Sequence, residues 1–321
     1  MLATIFSNID YGLITFVGIM TAFAATCFLL HKCGKYLPHD QGREFAHDGK
    51  LSAGKPRGAG VVFILVFAGA VLLFARCSIE MVIYLSMVVA SMLTGYLDDC
   101  AKNPWGEYKK GLLDLLIAVM TAVTYLNFNG NTFRILSLNM EVTLHPIIFG
   151  ILIVVLVWTS INVTNCSDGV DGLSGTLTII TLATIYMIMR MEQNDADFSY
   201  TILLFIVCIL GYLWYNATPS RMMMGDAGSR AMGIFISIAI LKTGSPLLYI
   251  PVALVLILDG GLGLLKVALL RFLKIRIFRN SCLPLHDHVR KSLGWSNTQT
   301  VFRFSIIQII MSFAVIYLLF G

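Results

Sequence analysis

Ten long apolar stretches constrain this chain more than any other feature. They run over 11–31, 58–75, 79–97, 111–128, 146–164, 172–189, 201–216, 229–243, 246–268 and 302–320. About 20 apolar residues in a helix cross a bilayer, and open strands cannot satisfy their backbone polar groups in lipid. The runs predict an all-α, polytopic integral membrane protein of about ten transmembrane helices, forming one domain over 1–321. Composition agrees, because only 13% of the residues are charged, against about a quarter in soluble domains. The first run does not read as a cleaved signal peptide: Ala22-Phe23-Ala24 matches a cleavage pattern, but no basic residue precedes it and the apolar stretch continues to Leu30. The seven cysteines include no CxxC pair and read as small apolar residues.

A net charge of +5 suits nucleic acid only if a basic patch is interleaved with aromatics on a soluble module, and none is present. Membrane topology accounts for the charge better. With the N-terminus outside, inward loops hold nineteen of the 23 Lys and Arg residues, leaving Arg76, Arg134, Arg190 and Lys242 outside. That asymmetry places both termini outside. The same topology sorts the carboxylates. Asp98, Asp99, Asp168, Asp171, Asp226 and Asp287 face inward in unusual local sequences, whereas Glu80, Glu141, Glu192, Asp195 and Asp197 face outward in plain ones.

Four inward segments carry chemistry. In Gly95-Tyr96-Leu97-Asp98-Asp99 two adjacent acids repel unless a cation or donor is near, which suits a divalent metal or a proton-transfer site, or else two solvated acids at a helix end. Asn165 to Gly175 contains two Asp and three Gly but no Lys or Arg. It offers acceptors and close backbone approach to a ligand, or a plain Asp-Gly turn before a helix. Met224-Gly225-Asp226-Ala227-Gly228-Ser229-Arg230 sets an acid and free amides at a helix start, an arrangement suited to a phosphate with its metal, or to an ordinary Ser229 cap. Pro284 to Lys291 holds His286, Asp287, His288 and Arg290. It lacks a third soft ligand for zinc but suits phosphate, and a solvated basic loop is the plain reading. Together the four point to Mg²⁺-assisted phosphoryl transfer at one face of the membrane.

At these motifs the sequence resembles the polyprenyl-phosphate N-acetylhexosamine-1-phosphate transferase superfamily. The likeness runs from about 45 to 306 and includes Lys55-Pro56-Arg57-Gly58-Ala59-Gly60, Leu97-Asp98-Asp99, Asn165 to Leu173, Asn216, Gly225 to Ser229 and the His286/His288 loop. Gly294-Trp295 with Val301-Phe302-Arg303-Phe304 is most similar to the phospho-N-acetylmuramoyl-pentapeptide transferase branch. The resemblance implies transfer of phospho-MurNAc-pentapeptide from its UDP form to undecaprenyl phosphate, giving lipid I and UMP in peptidoglycan synthesis. It also implies Mg²⁺ as cofactor, a bacterial plasma-membrane location and a cytoplasmic active site, and it leaves a homodimer open. By the same resemblance Asp98, Asp99 and Asp226 are catalytic and metal-binding. Lys50, Lys55, Lys102, Asn165, Asp168, Gly169, Val170, Asp171, Asn216, Met223, His286, Asp287, His288 and Arg290 would bind substrate, with Asp171 facing the uracil. The chain departs from the branch at Lys55 to Gly60, which is closer to the N-acetylglucosamine-1-phosphate branch. It also departs at Met223, which stands for an aromatic residue, at Asp287 and Arg290 in the histidine loop, and at Asp114, where a basic residue is common. A transferase for UDP-N-acetylglucosamine is the near alternative and a secondary transporter the distant one. Transporters, however, place their sites at the midplane between repeated halves.

Two acids lie inside spans. Asp114 follows Lys110 by four residues, which predicts a local ion pair. Asp259 precedes Gly260-Gly261-Leu262-Gly263, which predicts a break in the ninth helix near Asp259–Gly263, with the basic half from Lys266 to Arg279 lying at the lipid boundary. The topology is testable by cysteine labelling of intact cells. Positions near Asn131 and Asp195 should react from outside, while positions near Lys102, Asp171 and Asp287 stay protected; external labelling at 171 would separate the four motif loops.

Overall fold

A computed structural model describes residues 10–40, 42, 52–101, 103, 105–278 and 281–321. The long apolar runs become helices α1 (Tyr11–Cys33), α2 (Gly60–Phe74), α3 (Ile79–Asp99), α4 (Glu107–Asn129), α5 (Pro146–Cys166), α6 (Leu173–Met191), α7 (Ala196–Asn216) and α8 (Gly225–Lys242). They continue in α9 (Pro246–Val252), α10 (Leu254–Leu273), the short amphipathic α11 (Leu285–Leu293) and α12 (Asn297–Phe320). Helix starts are set locally. Ser78 accepts from the Met81 amide, Asp195 accepts from the Phe198 amide, and Ser296 with Gln299 forms a reciprocal capping box. One antiparallel hairpin, β1 (Thr132–Ile135) with β2 (Met140–Thr143), joins α4 to α5 and is tied down by the Arg134 amide, which donates to the Gly244 carbonyl at 2.8 Å.

Among the described residues, seven helices are long and apolar enough to cross a membrane, or eight if α9 and α10 form one bent span. The remaining two of the ten expected spans differ in kind. Helix α2 has only 15 residues, and α8 carries Asp226, Arg230 and Lys242. Helix α8 can carry them because it is the axis of the bundle: every residue from Gly225 to Leu241 is buried, enclosed by α2, α3, α5 and α6.

Small residues let the neighbours approach that axis. A Cβ on Gly60 would strike the Gly228 backbone, and one on Gly95 would strike the Asp226 carbonyl. On the far side, Gly233 lies under Ser160 and Ile161, and Ser160 Oγ donates to the Gly233 carbonyl at 2.7 Å. Close approach through small residues and interhelical hydrogen bonds are how helices associate where lipid offers no hydrophobic drive.

Two expectations are revised. Asp114 does not pair with Lys110. It is buried against Arg230 of α8, while Lys110 turns back toward Asp98 and Asp226. The sharp bend falls earlier than Asp259–Gly263: the chain turns by 72° at the α9–α10 junction around Ala253, and Ile257–Gly261 is a π-helical stretch. The glycines there serve packing, since a Cβ on Gly260 would strike the Val163 carbonyl of α5. The bend is stabilised from α12, where Gln308 donates to the Val252 carbonyl at 2.8 Å and accepts from the Val255 amide at 2.9 Å. Backbone groups freed by a break in an apolar bundle need such partners. Gly95→Val should therefore sharply reduce folded protein, read as the monodisperse fraction in size-exclusion chromatography after detergent extraction. An unchanged profile would contradict the close α3–α8 crossing.

Candidate active site

At one end of the bundle the termini of α5, α7, α8 and α12 surround a cavity of about 500 Å³. Its walls are loops that hold one another. The Met223 amide donates to the Pro56 carbonyl at 2.8 Å, and the Ala59 amide donates back to the Met223 carbonyl at 3.0 Å. Asn216, buried at the end of α7, accepts from the Gly172 amide at 2.8 Å and donates to the Met222 carbonyl at 2.9 Å. It thereby joins the glycine-rich loop after α5 to the loop before α8. Asp171 accepts from the Ser220 amide at 3.1 Å, and Lys55 donates to Ser220 Oγ at 3.0 Å while standing 3.9 Å from Asp171.

Polar charge is concentrated where α3 and α8 meet. The Asp99 side chain is fully buried and acts as a cap. One oxygen accepts from the Asp226 amide at 3.2 Å and from Arg57 Nε at 2.8 Å, and the other accepts from the Ala227 amide at 3.1 Å. A carboxylate at a helix start satisfies amides that have no partner within the helix. Arg57 extends the network, donating to Asp226 at 3.2 Å and to Asp40 at 3.1 Å. Burial opposes its charge, but the Asp99, Asp226 and Asp40 carboxylates outweigh that and raise the guanidinium pKa. Lys110 closes the other side, bridging Asp98 and the second oxygen of Asp226. Asp98 in turn accepts from the Trp105 amide at 2.7 Å.

Of the residues expected from sequence, Lys55, Asn165, Asp168, Gly169, Val170, Asp171, Asn216, Met223 and Asp226 line the cavity. Asp98 and Asp99 stand behind Asp226, joined to it by Lys110 and Arg57. Lys50 and Lys102 lie outside the described residues. The histidine loop sits behind the glycine-rich loop. His286 is clamped by Asp259, which accepts its backbone amide at 2.7 Å and its Nδ1 at 2.9 Å. A Cβ on Gly169 would collide with the His286 ring, and Arg290 is buried with its guanidinium 3.5 Å from the Gly169 carbonyl. Asp287 pairs with Lys291 at 3.0 Å and His288 meets Ser292 at 3.2 Å, both within α11.

Sequence reasoning missed Arg57, Asp40 and Lys110 as site residues; Lys110 was expected only as the partner of Asp114. Arg57 stood inside a recognised motif. Asp40 carried no signal; its contacts with Arg57 and with Ser52 Oγ, at 2.7 Å, and its place on the cavity wall mark it.

The chain matches the family model described as glycosyl transferase family 4 over residues 81–244. It is 39% identical to a phospho-N-acetylmuramoyl-pentapeptide-transferase of Treponema pallidum, over 97% of this chain and 91% of that one. Proteins of the same name from Symbiobacterium thermophilum and Clostridium acetobutylicum are 29% and 27% identical, over 78% and 81% of this chain and 78% and 83% of theirs. The chain belongs to the phospho-N-acetylmuramoyl-pentapeptide-transferase family. It is a multi-pass membrane protein of that family, and the matched segment 81–244 contains the carboxylate pair, the glycine-rich loop and Asp226.

The geometry separates the three acids experimentally. Asp98→Asn and Asp226→Asn should lower turnover by about 10² or more with little change in abundance. Asp99→Asn should lower both, because it caps α8 and holds Arg57. Equal abundance of all three variants by immunoblot would remove the capping role from Asp99.

Proposed function

We infer that this protein transfers phospho-MurNAc-pentapeptide from UDP-MurNAc-pentapeptide to undecaprenyl phosphate, releasing UMP and giving lipid I for peptidoglycan synthesis. The observation that carries the reading is the likeness, over nearly the whole chain, to a transferase of that name, together with a polar cavity in which Asp226 stands beside Lys55, Arg57 and the glycine-rich loop. The relatives are bacterial, and the charge asymmetry of the loops favours a cytoplasmic site with both termini outside. Ten crossings follow if α2 and α8 are added to the eight apolar spans, with α9 and α10 crossing together as one broken helix.

The cavity divides naturally. The glycine-rich loop, Asp171 and Asn216 offer backbone and carboxamide groups for a nucleobase and ribose. Lys55 and Arg57 face the region between that loop and Asp226, where a diphosphate would find its cations. Undecaprenyl phosphate would approach from the bilayer, with its anionic head toward Asp98 and Lys110 at the rim of α3 and α4.

Mg²⁺ fits the donors present. Among the described residues no three His, Cys, Asp or Glu side chains are grouped as a metal cage, but Mg²⁺ usually takes one or two carboxylates and completes its shell with water and substrate phosphates. Asp226 and Asp98 would hold it, with Lys110 and Arg57 kept alongside these carboxylates to meet the phosphates. When bound, the metal would neutralise charge on the transferring phosphoryl group. Asp99, with both oxygens engaged by backbone amides and Arg57, aims Asp226 in this scheme.

A radiolabelled exchange assay decides the sugar. Labelled UMP should enter UDP-MurNAc-pentapeptide in the presence of polyprenyl phosphate and Mg²⁺, and should not enter UDP-N-acetylglucosamine. Efficient exchange into UDP-N-acetylglucosamine alone would reassign the substrate and leave the phosphotransferase reading in place. Substrate uptake into proteoliposomes without exchange would favour a transporter.

A further inference from the structure

Lys110 and Asp114 lie one turn apart on α4, and Asp226 and Arg230 lie one turn apart on α8. The two helices therefore present charges at the same spacing and in opposite order. Lys110 meets Asp226 at 3.2 Å, and one layer deeper Asp114 meets Arg230. The two rungs are linked: Arg230 also donates to the Lys110 carbonyl at 3.3 Å, and Asn162 of α5 donates to the second oxygen of Asp114 at 3.4 Å. The deep pair thus grips the backbone of the residue whose ammonium forms the shallow rung.

The deep rung is a costly way to hold a fold. Asp114 and Arg230 are each 1% exposed, and two of the three guanidinium nitrogens of Arg230 are buried with no hydrogen-bond partner among the described residues. Replacing a buried ion pair by apolar side chains of similar volume is often neutral or stabilising. Packing alone would be served by such a replacement, whereas the contact to the Lys110 carbonyl would be lost.

We propose that Asp114 and Arg230 are a positioning pair for the transfer reaction, fixing the first turn of α4 so that the Lys110 ammonium bridges Asp98 and Asp226. The proposal rests on the transferase reading of the cavity. Neither residue lines that cavity, so both act through Lys110.

The test uses the full-length protein with Asp114→Leu and Arg230→Met combined, so that no unpaired charge stays buried. The double variant should keep a wild-type Tm and a KM for UDP-MurNAc-pentapeptide within about twofold, while kcat falls by about tenfold or more, as expected when a group at the reacting centre is misplaced. Modification of Lys110 by an amine-reactive reagent, quantified by mass spectrometry, should become several-fold faster. Wild-type kcat with unchanged Lys110 labelling would overturn the proposal. Should the double variant not fold, Arg230→Lys retains a charge for Asp114, but its side chain ends one bond short of the Nη2 that meets both Asp114 and the Lys110 carbonyl, so the reach to the carbonyl is lost. Faster Lys110 labelling in that variant supports the proposal, and wild-type labelling with wild-type kcat overturns it. The labelling arm needs no substrate, so it still decides the matter if the protein proves inactive on the muramyl nucleotide.

Discussion

Asp98, Asp99 and Asp226 crowd together at the mouth of a low-dielectric bundle, and Arg57 with Lys110 allows them to share that space. Each cation contacts more than one carboxylate, so the charges are distributed as a network and not as separate pairs. Removing Asp99, whose side chain has no exposed surface, leaves Arg57 and two helix-start amides without their acceptor. The network also joins elements far apart in sequence: the loop before α2, the end of α3, the start of α4 and the start of α8. The cavity inherits its shape from that junction.

Helix α8 is the second constraint. A helix bearing Asp226 and Arg230 is tolerated within an apolar bundle only where neighbours enclose it, and glycines at 60, 95 and 233 permit the enclosure. Its first turn meets the cavity and its second turn the buried pair with Asp114. One helix therefore serves as scaffold and as part of the site. Its glycine-rich start and its charges are two sides of the same requirement.

Much of this was legible in the sequence. The apolar runs give most of the helices within a few residues, because uniform apolarity over a span's length has few other solutions. The glycine-rich loop, Asn216 and Asp226 are visible as motifs, and they meet at one cavity. The illegible parts depend on partners distant in sequence. Local spacing pairs Asp114 with Lys110, yet a guanidinium from α8 lies closer in space. Local glycine content locates a bend at 259–263, yet Gly260 accommodates α5 and the bend lies earlier, where Gln308 of α12 stabilises it. Asp40 lacks any motif and gains its place through Arg57 and Ser52. The histidine loop is recognisable as a motif, but its position behind Gly169, clamped by Asp259, follows from how α10 and α11 pack.

The Gln308 bridge bears on how the protein is made. Synthesis proceeds from the N-terminus, so α9 and α10 enter the membrane before α12 exists. Until α12 arrives, the Val255 amide and the Val252 carbonyl at the bend lack the carboxamide that joins them in the finished bundle. The last helix is thus the keystone of the preceding one, and assembly of this region is completed only once the C-terminal segment is inserted.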